Sequence, residues 1–205
     1  MIFSNDDREN IQRAIDEGGK VWDNKALLPL KDKIKTYYRT NGEEQCCYCK
    51  KNSHGEFKMV LDIEHILPKG NLNFKHLTFR LDNLNVACKR CNMNIKGQKI
   101  DFITSIQDVT GDYRNSNYYK IIHPNFDNYF DHIKYYSTII NDEKLIYYKV
   151  LNKSPKGQFT YKYFKLKELE IDSFNKSQGI KNLNFFPKKF TNRIQSRIDK
   201  LLSKL

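Results

Sequence analysis

The sequence predicts an α+β fold whose middle part is organised around a metal ion. Two C-x-x-C pairs, Cys46/Cys49 and Cys88/Cys91, are separated by 38 residues. Short apolar runs that favour β-strands lie between the pairs, at 57–63 and 84–87. Helical spacing of apolar residues dominates the segment before the first pair. Together these patterns indicate a small sheet held by the cysteines, flanked by helices.

The N-terminal segment, residues 1–44, is predicted to be a helical cap on the cysteine module. A first helix is expected over residues 4–17, started by a polar residue among Ser4, Asn5 and Asp6. A second helix is expected from Ala26 to Tyr38, with Pro29 in its first turn.

Residues 45–110 are predicted to form the central module. A strand over 57–63 leads into Glu64 and His65, and a second strand covers 84–87. The intervening residues 71–79 are expected to be a loop or a short helix. A helix is expected to run from about Lys89 past Ile95 toward Ile106.

Residues 111–205 are predicted to be a basic α/β extension. Two runs, 145–150 and 158–164, flank a turn at 154–157 and predict a β-hairpin. The C-terminus predicts an amphipathic helix with one apolar stripe. Basic residues beside that stripe, Lys189, Arg193 and Arg197, are expected to contact nucleic-acid phosphates.

The charge of the chain favours a polyanionic partner. There are 36 Lys and Arg against 24 Asp and Glu, a net charge of +12. Residues 111–205 carry 18 of the basic and 9 of the acidic side chains, so most of the excess lies there. No apolar leader and no run of about 18 apolar residues occurs, so we expect neither secretion nor membrane spanning but a cytoplasmic protein.

The two cysteine pairs predict a structural Zn²⁺ site. Each pair supplies two thiolates from one tight turn, and four thiolates complete a tetrahedral shell. Cys47 lies outside the two-residue spacing and is expected to be a spare thiol. The alternative is a set of four reduced, buried cysteines without a metal.

Three segments between and around these pairs resemble the HNH endonuclease family, which has a ββα-metal (His-Me finger) fold. They are Asp62-Ile-Glu-His-Ile-Leu-Pro68, Asp82-Asn83-Leu84 and Cys88-x-x-Cys91-Asn92. The resemblance covers residues 46–100. It implies that His65 is the general base and Asn83 its orienting partner. It also implies that Glu64 and Asn92 hold a catalytic metal ion.

The same residue types fit phosphodiester hydrolysis on chemical grounds. A carboxylate oxygen from Glu64 and an amide oxygen from Asn92 are hard ligands that suit Mg²⁺ or Mn²⁺. A neutral imidazole at His65 can deprotonate water near neutral pH. One difficulty is geometric, because neighbouring residues of a strand point to opposite faces. Glu64 and His65 can share a cleft only if the strand ends or bends there.

The spacing after Asn92 departs from the family pattern. The family usually has a lysine three residues after this position, whereas here Lys96 follows after four. Lys96 is still expected to contact phosphate, since both offsets fall on one face of a helix. Asn94 remains a secondary candidate for the metal ligand.

The sequence therefore predicts a metal-dependent HNH endonuclease acting on DNA, with structural Zn²⁺ and catalytic Mg²⁺ or Mn²⁺. Resemblance to small bacterial proteins of this outline implies an anti-phage effector, as in Septu systems, or a restriction nuclease working with a separate ATPase. Two alternatives stay open: a non-catalytic zinc-containing module that binds nucleic acid, and an RNA-cleaving HNH enzyme.

Overall fold

The computed structural model describes residues 1–140 and 143–171, which form short helices and two two-stranded sheets. The α-helices there are α1 (Asn5–Glu17), α2 (Leu28–Asn41), α3 (Ile106–Gly111) and α4 (Pro155–Tyr163). The strands are β1 (Leu61–His65), β2 (Leu84–Cys88), β3 (Ile133–Ile140) and β4 (Glu143–Val150), and a π-helix spans Arg90–Lys96. β1 pairs with β2, and β3 pairs with β4. No helix within the described ranges is long and apolar enough to cross a membrane.

The chain divides into two units. The first comprises Met1–Tyr135 and Tyr148–Leu169, and the second comprises Tyr136–Tyr147 and Glu170–Leu205. In the second unit, the backbones of Ile146 and Ile171 exchange hydrogen bonds of 2.9 and 3.0 Å. The predicted C-terminal amphipathic helix, with Lys189, Arg193 and Arg197, lies outside the described residues. Both cysteine pairs and the Glu64-His65 segment belong to the first unit.

The first predicted helix is confirmed as α1. The Ser4 hydroxyl accepts a hydrogen bond from the Asp7 amide, and the Asp7 carboxylate accepts one from the Ser4 amide. This reciprocal capping box satisfies two backbone donors at the helix start. Gly18 ends the helix at a φ of 73°, a conformation that costs glycine little.

The second predicted helix is also confirmed, since α2 carries Pro29 in its first turn. Both N-terminal helices contribute to a core that reaches into the central module. Its fully buried members come from α1, α2, the turn between them and β2: Ala14, Leu27, Leu30, Ile34 and Leu84. Each large side chain buried there contributes about 1.5–3 kcal/mol. The N-terminal helices are thus fixed against the strand that leads to the second cysteine pair.

The first strand of the central module begins later than predicted. Residues Lys58–Val60 form a 3-10 turn, and β1 runs over Leu61–His65. Each β1 residue pairs with one β2 residue in antiparallel register, from Leu61 opposite Cys88 to His65 opposite Leu84. β2 ends at Cys88, so the residues before Leu61 have no partner on it. The apolar side chains of Phe57 and Met59 are accordingly exposed.

The predicted long helix after β2 is wrong in both length and type. Residues Arg90–Lys96 form a π-helix, in which the Gly97 amide donates to the Asn92 carbonyl five residues earlier. Gly97 ends it at a φ of 53°. A separate short helix, α3, starts after Ser105, whose side chain caps it. Between β1 and β2, a 3-10 element at Leu72–Leu77 agrees with the short helix expected for 71–79.

The predicted hairpin around 154–157 is also wrong. Residues 145–150 do form a strand within β4, but its partner is β3 rather than 158–164. Residues 155–163 form α4, because Pro155 suits a first helical turn and the Ser154 hydroxyl accepts from the Gly157 amide. The alternation of aromatic and polar residues in this segment is therefore not a strand pattern.

Candidate metal centre and hydrolytic site

The four predicted zinc ligands lie together. The sulfur atoms of Cys46, Cys49, Cys88 and Cys91 all lie within 4.8 Å of one another. The Sγ atoms of Cys49 and Cys88 are 3.9 Å apart. Four sulfurs at a Zn–S distance of about 2.3 Å form a tetrahedron with edges of about 3.8 Å. The spacing is therefore close to that of a tetrahedral Zn²⁺ site.

The local backbone explains how the sulfurs converge. The Lys50 amide donates to the Cys46 carbonyl at 2.9 Å, which closes the turn that carries the first pair. The Cys47 amide donates to Val86 on β2, so this turn is attached beside the strand that leads to Cys88. Hydrogen bonds from the other three thiols lower the pKa of Cys88, whereas hydrogen bonds within the cluster raise the pKa values of Cys49 and Cys91. A thiolate in that position is the form that binds zinc.

Cys47 stays outside the cluster, as expected for a spare thiol. Its side chain is buried, and burial raises the pKa of its thiol well above the usual range. Such a neutral buried cysteine behaves as a small apolar residue.

His65 lies at the end of β1, and its side chain is nearly buried, at 6% exposure. Its Nε2 is 3.1 Å from the Thr78 carbonyl oxygen. Because a carbonyl can only accept, Nε2 carries the hydrogen and Nδ1 keeps the basic lone pair. Burial, and next the positive charge of Lys69, lower the pKa of His65 to about 3. The imidazole is thus neutral near pH 7, although a pKa this low also makes it a weak base in this state of the site.

The edge of Trp22 covers His65. The two ring centroids are 4.4 Å apart and nearly perpendicular, and Trp22 also contacts Phe79. Trp22 belongs to a 3-10 turn between α1 and α2. The N-terminal segment therefore contributes directly to the surroundings of the candidate base.

Asn83 contacts the backbone after His65 rather than the imidazole, which corrects the predicted orienting role. Its Oδ1 accepts from the Leu67 amide at 2.8 Å, and its Nδ2 donates to the carbonyls of Leu67 and Leu77. Its own carbonyl accepts from the Ile66 amide. The side chain is buried and fully engaged. Asn83 thus shapes the loop after His65, and Thr78 makes the contact to the ring.

Glu64 faces away from His65, as alternation along a strand requires. Its Oε1 lies 2.6 Å from the Lys96 Nζ and accepts a hydrogen bond from the Tyr48 hydroxyl at 3.1 Å. Both charged side chains are 1% exposed. Burial raises the pKa of Glu64, and the Lys96 ammonium opposes that effect. Glu64 and Lys96 form a buried ion pair.

The Lys96 side chain, which was expected to contact phosphate, is instead buried in this ion pair. Its Nζ also donates to the His65 carbonyl at 2.9 Å, so the side chain is held against β1. The π-helix explains this placement. One extra residue between Asn92 and Lys96 widens the turn to i→i+5 hydrogen bonding. The turn thereby accommodates the spacing that departs from the family pattern.

Asn92 is half-buried and lines an open cleft of about 710 Å³, together with Trp22 and Lys69. Asn94 is exposed on the same π-helix. Among the described residues, 1–140 and 143–171, neither Glu64 nor His65 belongs to the lining of this cleft. His65 contacts Trp22, which belongs to the lining, whereas the Glu64 carboxylate is held by Lys96 and Tyr48.

A divalent cation fits this site only in part. Amide and carboxylate oxygens are suitable donors, and Asn92 is accessible from the cleft. The charge of Glu64, however, is already neutralised by Lys96. Among the described residues, the four cysteines are the one group of three or more His, Cys, Asp or Glu side chains placed to hold a metal.

The sequence analysis missed three residues that contribute to the surroundings of Glu64 and His65. Thr78 acts through a backbone carbonyl, which no residue type encodes. Tyr48 lies between Cys46 and Cys49 and looked like a spacer, yet its hydroxyl binds Glu64. Trp22 is the single tryptophan of the chain, and that rarity was the available hint.

Comparison with protein families identifies the segment that carries these residues. Residues 46–98 match the family model described as HNH endonuclease. This span holds both cysteine pairs, Glu64, His65, Asn83 and Asn92, and it is about a quarter of the chain. No curated protein and no solved structure gives a significant match. The chain therefore contains an HNH endonuclease domain at residues 46–98.

Proposed function

We propose that this protein, which carries an HNH endonuclease domain, is a metal-dependent nuclease that hydrolyses DNA phosphodiester bonds. The observation that carries the proposal is the state of His65. Its Nε2–H is held by the Thr78 carbonyl, which leaves Nδ1 as the base. A neutral imidazole held in one tautomer is the group that such a reaction needs to activate water.

Each residue of the site has a distinct role in this proposal. His65 Nδ1 takes a proton from the attacking water while Thr78 fixes the ring. Asn83 holds the loop after His65 through the Leu67 backbone. Lys69, whose charge already acts on His65, faces the cleft and would counter the charge of the scissile phosphate. The four-cysteine cluster binds Zn²⁺ and holds β2 against the first cysteine turn.

Mg²⁺ or Mn²⁺ is proposed at Asn92 and Glu64. When bound, such an ion supplies Lewis-acid stabilisation of the phosphoryl and leaving oxygens. Asn92 offers its amide oxygen from the cleft. Glu64 would take part only after Lys96 releases its carboxylate and the side chain turns toward the cleft, because the ammonium now neutralises it and the described lining does not include it.

The test is cleavage of supercoiled plasmid with Mg²⁺ or Mn²⁺. His65→Ala is expected to lose at least about a hundredfold in rate, the usual contribution of a general base. His54→Ala is the matched control, because His54 is an exposed histidine of the same domain. Equal cleavage by the wild type and His65→Ala would exclude His65 as the base.

A non-catalytic nucleic-acid-binding module is the second candidate. The Lys96–Glu64 ion pair and the covering of His65 by Trp22 favour it, since both restrict a reactive site. In that case wild type and His65→Ala shift the plasmid equally, and neither nicks it with either metal. A parallel RNA substrate tests the RNA-cleaving alternative.

A role as an anti-phage effector with a separate ATPase is the finer part of the proposal. It is supported by the resemblance of the HNH segment to small bacterial effector proteins of this outline. Co-purification of this protein with an ATPase encoded beside it, and nuclease activity gained in that complex, is the expected result. Full activity of the isolated chain would remove the need for such a partner.

A further inference from the structure

The cleft that contains Asn92 is built partly by the N-terminal helical segment. Lys31 and Lys35 of α2 and Trp22 of the preceding turn form one part of its lining. Lys69, Asn92 and Met93 of the HNH domain form another part. The segment that seemed only a cap therefore shares a surface with the candidate metal ligand.

The charge of this cleft is unbalanced. Its lining contains four lysines and two aspartates. One aspartate, Asp32, pairs with Lys58 at 2.7 Å, and the other, Asp62, pairs with Lys89 at 3.3 Å. Three lysines of the lining are left without an ion pair among the described residues: Lys31, Lys35 and Lys69.

Two of these lysines are partly withdrawn from water. Lys35 and Lys69 are half-buried, and burial lowers the pKa of each ammonium. Asp62 only partly compensates Lys35, and Asp23 only partly compensates Lys69. Partly buried cations without a close anion are stabilised by any phosphate that enters between them.

Apolar side chains lie among the lysines. Trp22 is half-buried with the Lys31 and Lys69 ammonium groups 5.7 and 5.9 Å from its ring centroid. Leu28 is 59% exposed and Met93 is 63% exposed, and both line the cleft. Positive charge mixed with apolar and aromatic surface is the pattern of sites that bind unpaired nucleotides.

We propose that this cleft binds a single strand of nucleic acid, with Lys31, Lys35 and Lys69 on the phosphates and Trp22, Leu28 and Met93 against the bases. This binding site rests on the proposed nuclease function and deepens it, because it makes an unpaired strand the substrate of the nuclease. A cleft of about 710 Å³ has the size of a small-ligand site. It accommodates a short stretch of one strand, whereas the bases of a duplex are stacked inside and cannot reach its apolar surface.

The test is fluorescence anisotropy without divalent metal, with labelled oligothymidylate, oligouridylate and a DNA duplex. Lys31→Ala/Lys35→Ala is expected to weaken single-strand binding at least about tenfold. It should also reduce the slope of log K against log salt by about 1.4, which is about 0.7 for each phosphate that is no longer neutralised. Lys31→Arg/Lys35→Arg should keep wild-type binding. Lys51→Ala/Lys75→Ala, an exposed pair outside the cleft lining, removes the same charge and should keep the slope.

Unchanged affinity and slope in Lys31→Ala/Lys35→Ala would overturn the assignment, as would tighter wild-type binding of the duplex. Comparison of the two oligonucleotides shows which sugar the strand carries. The outcomes of this binding test can be distinguished from those of the nuclease test. A protein that binds through the cleft but never nicks keeps this site and loses the proposed activity. A protein that nicks but binds equally well without these lysines keeps the activity and loses this site.

Discussion

At the scale of single residues, the buried pair of Glu64 and Lys96 makes a prediction about stability. Lys96→Met would leave a carboxylate buried without its cation and should destabilise the fold by about 3–5 kcal/mol. Glu64→Gln/Lys96→Met removes both charges and should recover a large part of that loss. Urea denaturation of the two variants and the wild type gives the comparison. Equal free energies of unfolding for the single and double variants would mean that Lys96→Met does not leave Glu64 as an unpaired buried charge.

His123 gives a pH-dependent prediction at the same scale. It is 1% exposed, and burial lowers its pKa to about 3, with nearby Asp127 opposing and Lys156 adding to the shift. The unfolded histidine, with a pKa of about 6.5, binds a proton that the folded one excludes. Its contribution to stability is therefore present above about pH 6.5 and is lost as the pH falls toward 3.

From pH 7 to pH 5 the His123 contribution amounts to about 2 kcal/mol. His123→Asn keeps an acceptor for the Asn125 amide but does not titrate. We expect a shallower decline in urea stability over this range for the variant. Parallel declines in variant and wild type would assign the pH dependence to other groups.

At the scale of elements, α4 depends on the cap that distinguishes it from a strand. Ser154→Ala removes the acceptor for the Gly157 amide and a contact to His132 Nδ1 at 2.6 Å. We expect a loss of about 1 kcal/mol in the free energy of unfolding. Ser154→Asp retains a capping oxygen and should recover most of it. An unchanged midpoint for Ser154→Ala in urea would show that Pro155 alone starts the helix.

The helices and strands also show how much of the fold could be predicted from the sequence. The C-x-x-C spacing and the apolar run at 84–87 were enough to predict β2 and the cysteine cluster, because those patterns are local. α4 was mistaken for a strand, since aromatic alternation outweighed the capping serine and proline. The π-helix depends on one extra residue and on the burial of Lys96, and that burial is a tertiary effect. The sequence did not predict the contact of Thr78 with the His65 ring or the ion pair that holds Glu64.

At the scale of the whole first unit, β2 links the cysteine cluster to the N-terminal core. Leu84 at its start packs with Leu30 and Ile34, and Cys88 at its end belongs to the cluster. Zinc removal should therefore destabilise both regions together, because the binding free energy of a structural metal is also folding free energy.

Metal analysis is expected to find one Zn²⁺ per chain, and a strong chelator should lower the melting temperature of the protein. Cys88→Ser should lose the metal and the stability, whereas Cys47→Ala should keep the metal, because Cys47 lies outside the cluster. Retention of zinc by Cys88→Ser, measured by elemental analysis, would contradict the four-thiolate site.

The position of Trp22 has an optical consequence. This indole is the one tryptophan of the chain, and it contacts the imidazole of His65 and lies near two ammonium groups. Its emission is therefore an intrinsic, label-free readout of the surroundings of His65 and of the cleft. Quenching or a spectral shift on titration with oligonucleotide would follow occupancy in real time, before any bond is broken.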